Sequence, residues 1–517
     1  MNRTLTALDW SIVILYIVIL VGLAFYSKLR KHQNTEEYLV AKHSMNWFIV
    51  AIAVFATLFS TISFVSIPGE AYNHGLILLG TSVAQLLVVP LAIWLFLRFF
   101  FNAPTFTAYE YLERRYDRKC RVMASLIFLM IRLFYTGCVF YSAAILFETM
   151  QGWNPAVTIL TIGIITVFYA WLGGSRAVIL ADVIQSAIIL CGIVAILFRI
   201  LQVIGFDFGA VIHFAHVHNH LFEEATTSEF YRINVHDRWN FYLLILVVLN
   251  GPLVAMSCDQ MVIQRLLAGK NYKQAVRSTY TNYFLSIPMV LMLYGIGLCL
   301  FYYYNGGGGI LPEQTSGDQV LGHFITTMLP APLPGLIATA LLSALMSTVA
   351  GAVNSLVTVL LKDIVVLAIP GIEGTAKEMT WCRVLTIVTG MIAVGLALML
   401  YFMGKGIRTT VLEVTGVWAS LWPILLSAFL YGVLSRRVSA KAMFISLIAG
   451  TLAGLLVPYV FYYLMPPAYR WGFQWVGLPG QLLSLTLPPL LSLIWPNHKK
   501  LDNLTVFTTE KFIKENS

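Results

Sequence analysis

The segment Pro332-Leu-Pro-Gly-Leu-Ile-Ala-Thr-Ala-Leu-Leu-Ser-Ala-Leu-Met-Ser-Thr-Val-Ala-Gly-Ala-Val-Asn-Ser-Leu-Val-Thr-Val-Leu-Leu-Lys-Asp363 decides the fold. It reads as an apolar helix with hydroxyl groups in its interior. Ala344, Ser347, Thr348, Gly351 and Ser355 fall at helical spacings of three and four, so one face carries small residues and two adjacent hydroxyls where lipid would favour leucine. Two readings stay open on this stretch alone. A small-residue stripe lets a neighbouring helix approach closely. Alternatively, the two hydroxyls, joined by carbonyls freed from a broken helix, offer neutral oxygens that replace the water shell of a bare cation.

Composition sets the solvent. The 517 residues are 59% hydrophobic and 11% charged, with a mean hydropathy of +0.79. Soluble domains are about half apolar and about a quarter charged. Apolar runs long enough to cross a bilayer begin near positions 9, 46, 76, 120, 155, 177, 239, 276, 333, 378, 409, 440 and 473, so an all-α membrane protein with thirteen transmembrane helices is expected. An odd number places the termini on opposite sides, and the Lys/Arg bias orients them. With the N-terminus outside and the C-terminus cytoplasmic, 25 of the 33 Lys/Arg fall in cytoplasmic segments. Six lie outside (Arg3, Arg232, Arg238, Lys405, Arg408 and Arg470), and Arg132 and Arg199 lie within spans. The net charge of +9 follows from this topology. Basic residues spread over many short loops make no nucleic-acid surface, so the lipid bilayer is the expected macroscopic partner. Cys138, Cys191, Cys258, Cys299 and Cys382 sit in or beside apolar segments and Cys120 beside cytoplasmic basic residues, which suggests no disulfide framework. The start lacks a basic n-region and a small-residue cleavage site, so the first span is expected to be retained.

The second span crowds Thr57, Ser60, Thr61, Ser63 and Ser66 into its middle and follows them with Pro68-Gly69, a pair that weakens the helical ladder. The seventh carries a matching fault at Asn250-Gly251-Pro252. Two interrupted spans, each opening a set of five, mark an inverted-repeat transporter with its site at the breaks; two plain proline kinks are the alternative. Residues 108–117 read as an amphipathic interfacial helix belonging to the scaffold. The loop at 203–238 holds His213, His216, His218 and His220 without Cys or carboxylate at ligand spacing, and reads as solvated. Gly306–Gly309 follows no strand and suggests no nucleotide site. The tail after Trp495 is too short for a signalling domain.

Four stretches together are highly specific: Ala53-Val54-Phe55-Ala56-Thr57 through Ser66-Ile67-Pro68-Gly69-Glu70-Ala71-Tyr72; Trp171-Leu172-Gly173-Gly174 through Ala181-Asp182-Val183-Ile184-Gln185; Asp259-Gln260-Met261-Val262-Ile263-Gln264-Arg265; and Ala344-Leu345-Met346-Ser347-Thr348 through Asn354-Ser355. In these the chain resembles the sodium/solute symporter family over nearly its whole length, with likeness to bacterial sialic acid symporters and to the animal branch carrying monocarboxylates, iodide and vitamins. The resemblance implies a LeuT-like five-plus-five inverted repeat. A single transporter domain would comprise an extra N-terminal helix at 9–27, repeats at 46–200 and 239–432, two C-terminal helices at 440–495 and a cytoplasmic tail at 496–517.

The resemblance also implies a sodium site on the carbonyls of Ala56, Phe59 and Ala344 and the hydroxyls of Ser347 and Thr348, with one coupling Na+. Asp182 matches an aspartate associated with a second sodium in the sialic acid branch. The other partners of that second site fall on Ala350 and Gly351, which favours Asp182 as a structural or proton-linked carboxylate and keeps a second ion there as the alternative. Asp259 and Arg265 read as a helix-end ion pair. The solute is expected against Ser60, Ser63, Ser82, Gln85, Tyr135 and Asn250. Tyr135 stands where the sialic acid branch has a carboxylate-binding arginine, and Arg132, one turn away, either substitutes for it or packs on a carbonyl or snorkels. The expected function is sodium-coupled import of a small polar or monoanionic organic solute (a sugar, sugar acid or short carboxylate) by a monomer in the cell membrane. Sodium/sialic acid symport is the alternative within the family. An ion channel is the rival of another class, but no filter loop or ring of charge is found. An enzyme is disfavoured by the lack of an HExxH, CxxC or Ser/His/Asp cluster.

Overall fold

The computed structural model describes residues 5–29, 39, 45–102, 105–313, 315–403 and 411–508. Lys405, Arg408, most of the basic 28–42 segment and the end of the tail lie outside them.

Helices account for most of the described residues. In chain order the principal ones are α1 (Ala7–Leu29), α2 (Trp47–Leu58), α3 (Thr61–His74), α4 (Ile77–Phe101), the short α5 (Tyr109–Arg115), α6 (Arg118–Gln151), α7 (Pro155–Ser175) and α8 (Ala177–Val203). There follow α9 (Phe208–Val217), α10 (Phe241–Ser257), α11 (Gln260–Leu267), α12 (Tyr272–Asn305), α13 (Gly317–Met328), α14 (Leu333–Ala368), α15 (Ala376–Met403), α16 (Val411–Leu434), α17 (Ala440–Leu464) and α18 (Trp475–Ile494). Ten of these are long and apolar enough to span a bilayer; the bent pairs α2/α3 and α10/α11 bring the number to as many as twelve. The chain is a multi-pass membrane protein. Local chemistry sets many of the starts: Asn46, Asp117, Asn154, Asn240 and Asn271 each accept a backbone N–H of the first turn, satisfying donors the helix leaves orphaned.

The stretch read first is the centre of the fold. In α14, 94% of the most apolar window is buried in protein, against 28% in α18. Its small residues seat it against α7, α8, α2 and α6. Gly192 on α8, for example, has no room for a side chain beside Ala340.

The breaks lie elsewhere than the sequence reading placed them. Pro68-Gly69 sits inside α3, and the first span bends by 62° at Phe59-Ser60, both in extended conformation. Asn250-Gly251-Pro252 sits inside α10, and the second span bends by 52° at Cys258-Asp259. Proline removes only one ladder bond, whereas these bends are held by neighbours. Thr61 donates to the Val139 carbonyl at 2.9 Å and pairs with the Ser142 hydroxyl at 2.7 Å. Asp259, held by Arg132 of α6, accepts the Met261 N–H at 3.0 Å and so restarts the helix. Pro68-Gly69 serves close packing instead: a Cβ on Gly69 would lie 2.7 Å from the Gly317 carbonyl oxygen, and one on Gly297 2.4 Å from that of Pro68. The 108–117 segment is also more buried than an interfacial helix, because Arg115 donates to the carbonyls of Gly432, Ser435 and Val438 at the turn joining α16 to α17.

Candidate functional site: a polar seam at the two breaks

Helices α2 and α11 lie at the same end of the bundle, since the Met45 N–H at the head of α2 bonds to the Ala268 carbonyl just past α11 at 3.0 Å. Between them runs α14, and it is here that its hydroxyls are used. Thr348 donates to the Thr57 carbonyl on α2 at 3.1 Å. Ser347 donates to Asp182 on α8 at 2.6 Å, and the other oxygen of Asp182 faces the Arg265 guanidinium on α11 at 3.2 Å. Ser347, Thr348, Ala344, Ala56 and Asp182 have no exposed surface, and Phe59 is 6% exposed. At the first break the Phe59 and Phe64 amides bond to the carbonyls of Phe55 and Ser60, a pattern that skips those of Ala56 and Phe59. The Thr348 hydroxyl and the Thr57 carbonyl therefore bring neutral oxygens of α14 and α2 together in one buried contact, next to Ser347 and a carboxylate already engaged by a guanidinium.

The expected solute residues form two groups. Tyr135 donates to the Ser60 hydroxyl at 3.1 Å, at the first break. Gln85 lies across Gly251, whose missing side chain gives the amide its room, and with Asn250 it lines a cavity of about 270 Å³ that also takes Ser420, Gln474 and Gln481. Ser63 and Ser82 are half-buried and line neither contact. The amides Gln474 and Gln481, from the start of α18, are absent from the sequence reading, because nothing local marks them as neighbours of α4 and α10.

The charged residues pair differently from expectation. Asp259 and Arg265 make no helix-end pair: Asp259 caps α11 in extended conformation, and Arg265, in its last turn, faces Asp182 instead. Asp259 pairs with Arg132 at 2.5 Å, both buried. Arg132 thus neither snorkels nor rests on a carbonyl. Its guanidinium is also boxed by the rings of Trp422 at 5.2 Å, Tyr135 at 5.3 Å and Phe128 at 5.9 Å. Towards the other end of the bundle Arg238 bonds Glu70 on α3 at 2.8 Å, and Asp318 accepts from Ser66 at 3.1 Å and the Val411 N–H at 2.9 Å. Ion pairs and charge-assisted bonds therefore close the seam on both sides.

Of the loop histidines, His220 ties the loop to the bundle. His220 Nε2 donates to the carbonyls of Ala71 and Tyr72 at 2.9 and 3.0 Å and its ring stacks on Phe301, while His216 pairs with Glu223 at 2.7 Å. Among the described residues no group of three His, Cys, Asp or Glu side chains is placed to hold a metal.

A family model described as the sodium:solute symporter family matches residues 38–450. The sodium/sialic acid symporter SiaT of Proteus mirabilis is 25% identical over 86% of this chain and 87% of its own. The bovine sodium-coupled monocarboxylate transporter 2 is 26% identical over 91% of this chain and 76% of its own. A solved structure of a substrate-bound, outward-open Na+-coupled sialic acid symporter superposes with a TM-score of 0.84 at 21% identity, over 96% of this chain and all of that one.

Proposed function

The chain belongs to the sodium:solute symporter family, and on that premise we propose that it imports a small polar or monoanionic organic solute together with one Na+. The coupling ion is held by the carbonyls of Ala56, Phe59 and Ala344 and the hydroxyls of Ser347 and Thr348. The observation that carries this reading is the contact of Thr348 with Thr57 in the last turn of α2, which brings the hydroxyl pair of α14 beside the carbonyls a bent helix frees. An ion bound there touches two elements whose separation changes on alternating access, and it can shift that equilibrium.

In this reading thirteen helices cross the membrane, α1 among them, with the N-terminus outside and the C-terminus in the cytoplasm. Residues 46–200 and 239–432 form the inverted repeats, and a monomer suffices for transport. The solute sits between Ser60, Ser63, Ser82, Gln85, Tyr135 and Asn250. The pairing of Arg132 with Asp259 supports a solute other than sialic acid, because the guanidinium that lies against Tyr135 already has a carboxylate partner. Breaking that pair to serve a ligand would leave Asp259 buried and alone.

Uptake into proteoliposomes from a panel of labelled sugars, sugar acids and short carboxylates, with Na+ replaced by K+, tests the proposal. Uptake should require Na+. Ser347→Ala and Thr348→Ala should each raise the half-saturating sodium concentration or abolish uptake; wild-type sodium dependence in both would refute the site.

A further inference from the structure

Asp182 contributes more than a buried charge near the hydroxyl pair. One of its oxygens receives the Ser347 hydroxyl proton at 2.6 Å and the other faces Arg265 Nη2 at 3.2 Å, with neither residue on the same helix as the other two. A hydroxyl that donates to a carboxylate turns its lone pairs away from it, towards whatever cation lies on the far side. The seat of the guanidinium is equally specific. A Cβ on Gly351, one turn beyond Ser347, would stand 2.6 Å from Arg265 Nη2 and 2.9 Å from Nη1, so only glycine leaves the guanidinium this position. Arg265 is 4% exposed, and its Nε has no hydrogen-bond partner, so Asp182 is its principal anchor.

We propose that Arg265 is the resident counter-cation of the sodium site: its guanidinium, seated against Gly351, neutralises Asp182, the carboxylate that accepts from Ser347 and turns the Ser347 oxygen towards the ion. The inference rests on the sodium site proposed above and deepens it. It brings the second broken helix into contact with an ion that the first ligates directly, through Arg265, Asp182 and Ser347 in turn. It also places a tethered positive charge at the carboxylate, where Ala350 and Gly351 offer no side-chain oxygen to a mobile one.

The test is a charge cycle read by equilibrium binding of radiolabelled sodium alone to the purified full-length protein. Asp182→Asn keeps an oxygen to accept from Ser347 but leaves the guanidinium uncompensated beside the cation, and should raise the half-saturating sodium concentration by about tenfold or more. Adding Arg265→Met removes the repelling charge, and the double variant should return to within about threefold of wild type. Should Asp182→Asn alone fail to accumulate, folding and near-wild-type sodium binding of the double variant are the expected result. Wild-type binding in Asp182→Asn, a double variant as weak as the single, or a double variant that does not fold would each overturn the proposal. Ser347→Ala separates it from the reading beneath: if that variant binds sodium normally the site itself is wrong, whereas if only the charge cycle is flat the site stands and the role of Arg265 falls.

Discussion

Breaking the Arg132–Asp259 pair should damage the protein more than removing it altogether. The two groups meet at 2.5 Å and are 4% and 6% exposed, so each is the other's charge partner in a place water barely reaches. Removal of one partner of such a pair costs about 3–5 kcal/mol, because a buried charge is left alone. Two features of this site reduce that figure. Asparagine at 259 can still accept the Met261 N–H that Asp259 now caps, and Arg132 keeps three aromatic rings, each worth about 0.5–2 kcal/mol to a cation. Asp259→Asn is therefore expected near about 3 kcal/mol, at the low end of that range. Arg132→Met fills the same box with an unbranched apolar chain but strands Asp259, for a loss of similar size. In the double variant no charge is buried, and replacing a buried pair by neutral groups is often close to neutral, so a loss of about 1 kcal/mol or less is expected. The coupling would then be several kcal/mol, well above the ~0.5 kcal/mol within which independent sites add. SDS titration of the purified protein in mixed micelles, followed by tryptophan fluorescence, gives the four stabilities. A double variant whose loss equals the sum of the singles would refute the pairing as the source of stability at this break.

Further outcomes follow from the same site. With one Na+ per solute, about 100 mV supplies roughly 2.3 kcal/mol and a tenfold sodium gradient about 1.4 kcal/mol, enough for several-hundred-fold accumulation of a neutral solute but only about tenfold for a monoanion; flux ratios in vesicles check this, and a two-to-one ratio contradicts it. Sialic acid should give no sodium-dependent thermal stabilisation, and strong stabilisation lost in Arg132→Ala would restore the alternative. Burial, the largest influence on His220, holds its pKa below the usual 6.5 despite the two carbonyls it faces. A loosened loop then binds protons more readily than the docked one, so docking loses stability as pH falls below about 6.5 and the loss levels off beneath the docked value. Hydrogen exchange at Gly75 and Leu76, corrected for intrinsic rates, should accelerate in that window; a flat profile, or an equal step in His220→Gln, contradicts the assignment.

The membrane setting, the order of the helices and the central place of α14 could be read from the chain, because each is local. A run of apolar residues must be covered wherever it sits, and Asn46, Asp117 and Asn240 cap helices through atoms two or three residues away. The hydroxyl pair Ser347 and Thr348 was visible for the same reason, since polar atoms inside such a run are conspicuous. The location of the breaks was not, because whether a proline bends a helix depends on what the neighbours supply: α12 and α13 pack tightly over Pro68-Gly69, while Val139 and Ser142 offer partners two turns earlier. Ion pairing was equally hidden. Asp182 lies 165 residues from Ser347 and 83 from Arg265, and no periodicity connects positions on separate helices. Their meeting is decided by how α8, α11 and α14 pack, and by a glycine at 351 whose empty side is filled by an arginine from elsewhere in the chain.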